Sequence, residues 1–142
     1  MIVTFCGHRT VYEQERVAAW LQQTVEKLIL EGADCFYLGG YGQFDTLAAS
    51  VVQKQKERYP QIRSVLVLPY LNRDNDLSPY DETLYPPLET TPKRFAIAKR
   101  NEYMIEAADR VVAYVIHEFG GAYTSLRYAQ RKCKRIIRYD GV

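Results

Sequence analysis

The sequence contains few of the residues from which disulfide frameworks and metal centres are built. Three cysteines, at positions 6, 35 and 133, and two histidines are scattered over 142 residues, and no CxxC pair occurs. An odd and dispersed set of cysteines argues against a disulfide framework and favours a reducing cytoplasm. No cluster of zinc ligands is recognisable, so we expect neither a metal ion nor another cofactor.

Long apolar runs and a strong charge of either sign are missing as well. No stretch of about 18 apolar residues and no secretory signal peptide is recognisable, so we expect no membrane partner. The net charge of +2 does not by itself indicate nucleic acid binding. With 47% hydrophobic and 25% charged residues the composition is that of an ordinary globular chain, and the length predicts one domain over residues 1–142.

Apolar runs alternate with segments of helical periodicity along the chain. Strands are predicted at residues 2–6, 35–38, 64–68, 111–115 and 135–138, and helices at 12–31, 43–59, 93–108 and 124–132. The predicted apolar face of the third helix consists of Ile97, Ala98, Asn101, Met104 and Ile105. Alternating strands and helices form parallel sheets that are covered on both sides. The sequence therefore predicts an α/β, Rossmann-like open sheet, mostly parallel and five-stranded, with helices on both faces.

Residues 70–92 form the longest segment without a periodic pattern. The segment contains Pro79, Pro86, Pro87 and Pro92, and three of the twelve tyrosines of the chain. Loops longer than about 12–15 residues are often functional lids or mobile segments. Two interpretations stay open, an irregular surface loop fixed by its aromatic residues and a lid that covers a ligand.

Three glycine turns follow predicted strands. They read Cys6-Gly7-His8-Arg9, Leu38-Gly39-Gly40-Tyr41-Gly42-Gln43-Phe44-Asp45 and Phe119-Gly120-Gly121-Ala122-Tyr123-Thr124-Ser125, and the second and third lead into helices. A glycine turn before a helix exposes backbone N–H groups at the positive end of the helix dipole, which favours anions. In open parallel sheets the ligand crevice lies at the carboxyl ends of the strands. The three turns together predict a pocket for a phosphorylated ligand.

Polar side chains near these turns are candidate ligand contacts. Arg9 suits bidentate contact with a phosphate, and His8 is expected to form hydrogen bonds. Asp45 either caps the second helix or binds a ribose hydroxyl. The hydroxyl groups of Thr124 and Ser125 add to the anion site of the third turn.

The order of these motifs resembles that of the SLOG superfamily of Rossmann-like domains. The likeness runs through the first two turns, the segment from Arg100 to Val112 with the pattern RN-x-x-[MI]-x-x-[AS]-D-x-V-V, and the third turn. The superfamily groups the Smf/DprA DNA-processing proteins, the YpsA-like proteins and the "lonely guy" phosphoribohydrolases. The resemblance implies that a nucleotide or nucleic-acid phosphate binds across the ends of the first, second and fourth predicted strands.

The turns and the resemblance together define one set of candidate binding residues. The set is Gly7, His8, Arg9, Gly39, Gly40, Gly42, Asp45, Arg100, Asn101, Gly120, Gly121, Thr124 and Ser125. One position departs from the hydrolase pattern GGxGTxxE, because Arg127 stands where the glutamate belongs. A cation there removes the carboxylate that assists cleavage of an N-glycosidic bond.

The sequence therefore favours a single SLOG-like domain that binds a nucleotide-derived phosphorylated ligand. It leaves open whether the protein is a sensor, a binding module or an enzyme. The alternatives are a nucleoside-phosphate N-glycosidic hydrolase and a single-stranded DNA-binding protein of the DprA type. The low net charge ranks nucleic acid behind a small nucleotide as the partner. Because SLOG proteins often associate through surface helices, a homodimer is compatible with this interpretation.

Overall fold

The structure is a computed structural model that describes residues 1–71 and 77–141. Helices and strands alternate along the chain except that β4 follows β3 directly. The strands are β1 (Ile2–Gly7), β2 (Cys35–Leu38), β3 (Arg63–Val67), β4 (Glu82–Leu84), β5 (Arg110–Tyr114) and β6 (Arg135–Arg138). The helices are α1 (Gln14–Leu30), α2 (Gly42–Lys56), α3 (Lys93–Ala107) and α4 (Gly120–Arg131).

The strands of the described residues form one six-stranded sheet in the order β4-β3-β2-β1-β5-β6. Every neighbouring pair is parallel. Successive strands run outward from β1 to β4, and the chain then returns to place β5 on the other side of β1. The predicted α/β, Rossmann-like parallel sheet is confirmed, whereas the predicted number of five strands is wrong.

The additional strand, β4, lies inside the segment that was predicted to be irregular. Its three residues pair with β3 from Val65 to Val67. Asp81 fixes the start of β4, because its carboxylate accepts the Ser64 N–H at 2.9 Å and its own N–H donates to Ser64 Oγ at 3.1 Å. A strand this short carries no recognisable alternation, so the sequence pattern did not predict it. Residues 72–76, which belong to the predicted lid, lie outside the described residues.

Apolar side chains fill both faces of the sheet. On one face Val3 and Phe5 pack with α1 and α2, where Phe44 is fully buried. On the other face Cys6 packs with α4, and Met104 of α3 packs against β2 and β3. Neighbouring residues of a strand point to opposite faces, so a strand covered on both sides needs a continuous apolar run. This explains the mostly apolar sequence of β1, in which the buried Thr4 donates its hydroxyl to Tyr37 O.

The buried face of α3 differs from the predicted one. Ala98 is exposed, whereas Ala96 and Arg100 are buried beside Met104 and Ile105. The apolar pattern did not include Arg100 in this face, because a cation is seldom buried without partners, and left open whether it reaches the crevice or is solvated. In the fold this arginine finds backbone carbonyls at the ends of two strands, which allows its burial.

The position of β1 determines where a ligand site can form. Strands β2 and β5 lie on opposite sides of β1. The connection that follows β1 and the connection that follows β5 therefore lead in opposite directions from the carboxyl end of β1. A crevice opens at such a switch point in parallel α/β sheets. Among the described residues, no helix is both long enough and apolar enough to cross a membrane.

Candidate functional site

Two clefts lie at the carboxyl edge of the sheet. The switch-point cleft, of about 400 Å³, lies between the end of β1 and the first turn of α4 and is lined by Phe5, Cys6, Gly7, His8, Arg9, Tyr41, Asp45, Ile97, Arg100, Asn101, Met104, Ile105, Phe119, Gly120, Gly121, Ala122 and Ser125. The tyrosine cleft, of about 350 Å³, lies beside it and is lined by Gly39, Gly40, Tyr41, Thr46, Ala49, Ser50, Gln53, Leu66, Leu68, Pro69, Tyr70, Pro79 and Tyr80. Tyr41 belongs to both.

Most of the candidate residues meet in the switch-point cleft. Those that line it are Gly7, His8, Arg9, Asp45, Arg100, Asn101, Gly120, Gly121 and Ser125. Gly39 and Gly40 line the tyrosine cleft instead, and Gly42 and Thr124 line neither. The Thr124 hydroxyl donates to Gly120 O of its own helix at 3.1 Å, which explains why it does not face the cleft.

Arg100 is the most buried charged residue of the switch-point cleft. Only 1% of it is exposed. Its Nη1 donates to Gly39 O at 2.8 Å and to Val67 O at 2.9 Å, and its Nε donates to Asn101 Oδ1 at 2.9 Å. Nη2 has no hydrogen-bond partner among the residues that the structure describes. Burial lowers the pKa of Arg100, and the charge of Asp45 opposes that effect. A buried guanidinium with two unpaired N–H donors can receive a phosphate or carboxylate oxygen.

Asp45 lies next to this guanidinium at the start of α2. Its Oδ2 accepts the Tyr41 N–H at 3.1 Å. Burial raises the pKa of Asp45 to about 6, although this hydrogen bond and the charge of Arg100 lower it. The carboxylate therefore occupies the positive end of α2, and Gln43 N–H of the same turn donates to Arg9 O at 2.8 Å. At the second glycine turn, oxygen atoms of Asp45 and Arg9 therefore accept the N–H groups that the sequence predicted would bind the anion of a ligand.

The first turn of α4 is open by comparison. Its N-cap residue is Phe119, whose side chain accepts no hydrogen bond, and no other side chain within residues 1–71 and 77–141 caps the backbone N–H groups that follow. A Cβ added to Gly120 or Gly121 would meet no atom within 4 Å. Uncapped N–H groups at a helix N-terminus attract anions, and glycine lets a ligand approach the backbone closely.

The other glycines of the three turns have packing reasons within the fold. A Cβ on Gly7 would lie 2.2 Å from the Phe44 ring, and one on Gly42, whose φ is +84°, would lie 2.8 Å from Arg9 Cα. Gly40 has a φ of +73°, which side-chain-bearing residues rarely adopt. Gly7 and Gly42 allow close packing between α2 and the end of β1, and a Cβ on Gly39 or Gly40 would also meet protein atoms within 3.1 Å. Of the glycines in the three turns, the pair in α4 is the one that leaves space for a ligand.

Aromatic rings border the switch-point cleft on two sides. Phe119 is 69% exposed and stacks on His117 with ring centroids 5.0 Å apart. Tyr41 is 43% exposed, and the guanidinium carbons of Arg9 and Arg100 each lie 5.9 Å from the centre of its ring. Exposed rings beside a cationic cleft can stack on planar groups of a ligand.

His8 has a structural contact within the fold. Its Nε2 accepts the Ile116 N–H at 2.9 Å, so this nitrogen carries no proton. Burial lowers the pKa of His8, and the charge of His117 lowers it further. A neutral His8 thus positions the segment that leads into α4.

Sequence patterns missed several residues of the switch-point cleft as site residues. Tyr41 belongs to the second glycine turn and Phe119 to the third, but nothing in the sequence indicates that the two rings border one cleft. Cys6 is buried, and burial, followed by the charge of Asp45, raises its thiol pKa to about 12, which makes it inert as a nucleophile. Among the described residues that line the cleft, Asp45 is the only carboxylate. Arg127, the residue at the hydrolase glutamate position, is exposed outside both clefts.

No group of three or more His, Cys, Asp or Glu side chains within residues 1–71 and 77–141 could hold a metal ion. The two histidine rings are neighbours, with centroids 4.6 Å apart, but no carboxylate or thiol joins them in such a group. The chemistry of the switch-point cleft therefore depends on backbone N–H groups, guanidinium groups and one carboxyl group.

Comparisons with known proteins identify relatives of this fold. No protein-family model matches the chain, and no curated protein matches it. Among solved structures, DNA processing protein A (DprA) from Helicobacter pylori has a TM-score of 0.66 at 19% identity, over 97% of this chain and 64% of that chain. The protein of the same name from Streptococcus pneumoniae has a TM-score of 0.69 at 16% identity, over 99% of this chain and 50% of that chain.

At these identities the likeness shows the fold. The chain spans between half and two thirds of the length of these two structures. Both neighbours are DNA-processing proteins of the group that the SLOG resemblance includes, so sequence and structure agree at the level of the fold. The Helicobacter pylori structure was described for its mode of binding single-stranded DNA.

Proposed function

We propose that the protein binds single-stranded DNA through the switch-point cleft. One observation supports this proposal above the others. The uncapped first turn of α4 and the unpaired Nη2 of Arg100 belong to one cleft, which exposed rings border on two sides. Backbone N–H groups and guanidinium groups suit phosphates, and exposed rings suit unpaired bases.

The phosphate would occupy the space next to Gly120 and Gly121. Both residues lack neighbours where a side chain would extend, so a phosphate oxygen can approach the helix N–H groups without displacing protein atoms. Arg9 is exposed at the same cleft and adds a second guanidinium group to that of Arg100. Two guanidinium groups outweigh the single carboxylate of Asp45, so the cleft favours an anion.

The exposed rings favour a single strand over a duplex. Phe119 and Tyr41 project from the protein surface at the cleft, where an unpaired base can stack on either ring. In a duplex the faces of the bases are covered by their neighbours, so such stacking is not available. The single-stranded DNA binding described for the Helicobacter pylori protein, which shares this fold, supports the same preference.

Binding of an end-labelled short oligothymidylate, followed by fluorescence anisotropy, tests the proposal. Gly121→Val fills the open space at the α4 N-terminus, so we expect a loss of affinity of at least about tenfold, as for one lost charge-assisted contact. Gln130→Val is the matched control, because it adds the same side chain to an exposed position near the other end of α4. Equal affinities of the two variants would contradict the proposal.

Arg9→Ala should weaken oligothymidylate binding and reduce its salt dependence. The control is Arg131→Ala, which removes the same charge from the end of α4, roughly 16 Å along the helix from Gly120. If both variants lose the same affinity, the positive charge acts through the overall charge of the protein and not through the cleft.

A nucleotide-derived small ligand is the second candidate. Its supporting observation is the size of the switch-point cleft, about 400 Å³, which lies in the range of small-molecule sites. Thermal unfolding with a panel of nucleoside phosphates separates the two candidates. A mononucleotide at about 100 times its Kd should stabilise the protein by roughly 2.7 kcal/mol. Stabilisation by a mononucleotide without binding of the oligothymidylate would favour this second candidate.

A further inference from the structure

The tyrosine cleft has a different chemical character from the switch-point cleft. Within residues 1–71 and 77–141, the thirteen residues that line it carry no charge, whereas its neighbour contains two arginines and an aspartate. It lies where β2 and β3 end, between α2 and the segment that contains Tyr70 and Tyr80. The described lining offers no charged group that could compensate the desolvation of a phosphate, so it suits a neutral ligand.

Two side chains of α2 provide hydrogen-bonding groups to this cleft. Ser50 and Gln53 are exposed, and within residues 1–71 and 77–141 their side chains form no hydrogen bond. An amide offers both donors and an acceptor, and a hydroxyl can act as either. Tyr41 and Tyr70 also line this cleft and add aromatic surface to it. Aromatic surface combined with unpaired donors and acceptors suits a flat, neutral ring that carries polar edges.

The two clefts are joined through the second glycine turn. Tyr41 lines both clefts. Gly39 and Gly40 line the tyrosine cleft, and the buried Arg100 guanidinium lies next to them. Arg100 fixes this boundary, because its Nη1 binds Gly39 O. A ligand with one charged and one neutral, planar part could therefore occupy both clefts across the same turn.

We propose that the tyrosine cleft is a nucleobase subsite, which holds a base of the DNA strand whose phosphate occupies the switch-point cleft. This inference rests on the proposed function, and it adds the position of the base. Ser50 and Gln53 bind the polar edge of the base, and the ring of Tyr41 separates base from phosphate.

The test compares a short oligothymidylate with an oligomer of equal length that lacks its bases. The double substitution Ser50→Ala and Gln53→Ala removes the proposed base contacts, and alanine is well tolerated at exposed helix positions. We expect about five- to tenfold weaker binding of the oligothymidylate and unchanged binding of the abasic oligomer, as for two lost hydrogen bonds. Gln23→Ala, at an exposed position of α1, is the matched control and should change neither.

A second measurement separates the subsite from the proposed function. Thymidine without phosphate should shift the backbone amide NMR signals of Ser50 and Gln53 in the native protein, and the double variant should lose these shifts. If the oligothymidylate binds but neither the variant nor thymidine has an effect, the base subsite is wrong and DNA binding stands. If thymidine shifts these signals while no oligomer binds, the subsite stands and DNA binding is wrong. Absence of both effects overturns both.

Discussion

The carboxyl group of Asp45 should make the protein less stable at neutral pH than in mild acid. It lies beside Arg100 at the start of α2, and burial raises its pKa from 3.8 to about 6. The folded protein therefore binds this proton more tightly than the unfolded chain does. Folding stability contributed by such a group falls as the pH rises through the window between the two pKa values, and it stays constant above that window.

The size of this effect follows from the shift of the pKa. The difference between 3.8 and about 6 is roughly 2 units, and each unit corresponds to about 1.4 kcal/mol. Ionised Asp45 therefore costs up to ~3 kcal/mol of folding stability at pH 7. Asp45→Asn keeps an oxygen that can accept the Tyr41 N–H and removes the charge. We expect the variant to exceed the wild type by up to ~3 kcal/mol at pH 7 and to equal it below about pH 4.

Urea unfolding of the wild type and of Asp45→Asn at about pH 4 and pH 7 measures this effect. Taking the difference between the two proteins at each pH cancels the titration of all other groups. Glu89→Gln is the control, because Glu89 is an exposed carboxylate in a loop. If the difference between wild type and Asp45→Asn is the same at both pH values, Asp45 is not desolvated as the structure indicates, and the reasoning fails.

Three further substitutions test the packing around the clefts. Gly7→Ala places a Cβ 2.2 Å from the ring of the fully buried Phe44, so we expect urea unfolding to show a loss of folding stability of about 3 kcal/mol. Gly121→Ala, which meets no atom, should lose less than ~1 kcal/mol, and an equally small loss for Gly7→Ala would refute the close contact. Arg100→Lys keeps the charge but cannot bind Gly39 O, Val67 O and Asn101 Oδ1 together, which should cost about 2–4 kcal/mol, and a value near zero would mean that these carbonyls find other partners. Asp81→Ala removes the acceptor of the Ser64 N–H and should speed hydrogen exchange at Leu68 N–H, which donates to Leu84 O, while the amides of β1 keep their protection.

The sequence allowed prediction of those parts of the fold that depend on local patterns. The apolar run of β1 and the helical periodicity of α1 each fall within one segment, and both elements were predicted within two residues at either end. Strand β4 depends on the contact between Asp81 and Ser64, which are 17 positions apart, and no local pattern reveals such a pair. Tertiary contacts of this kind decide short edge strands.

The sequence indicated which turns lie at the carboxyl edge of the sheet, but not what each of their residues contacts. The second and third glycine turns both lead into helices, yet Asp45 lies at the positive end of α2, whereas no side chain of the described residues caps the first turn of α4. The burial of Arg100 depends on carbonyl groups of Gly39 and Val67, which are more than 30 positions away. Which turn is open, and which arginine is buried, follows from the packing of distant segments.

The low net charge of the chain does not conflict with a polyanionic partner. The salt dependence of the binding constant reflects the number of phosphates that the protein neutralises at the interface. The overall charge of +2 does not determine that number. Arg9 and Arg100 provide about two contacts, which corresponds to a slope of about −1.4 for a single strand when log K is plotted against log salt. Hydrogen bonds from α4 and stacking on Tyr41 and Phe119 are far less sensitive to salt, so they would carry most of the affinity. Under the proposed function this cleft would hold one or two nucleotides of a strand, which is why a mononucleotide and a single strand are the two candidate ligands.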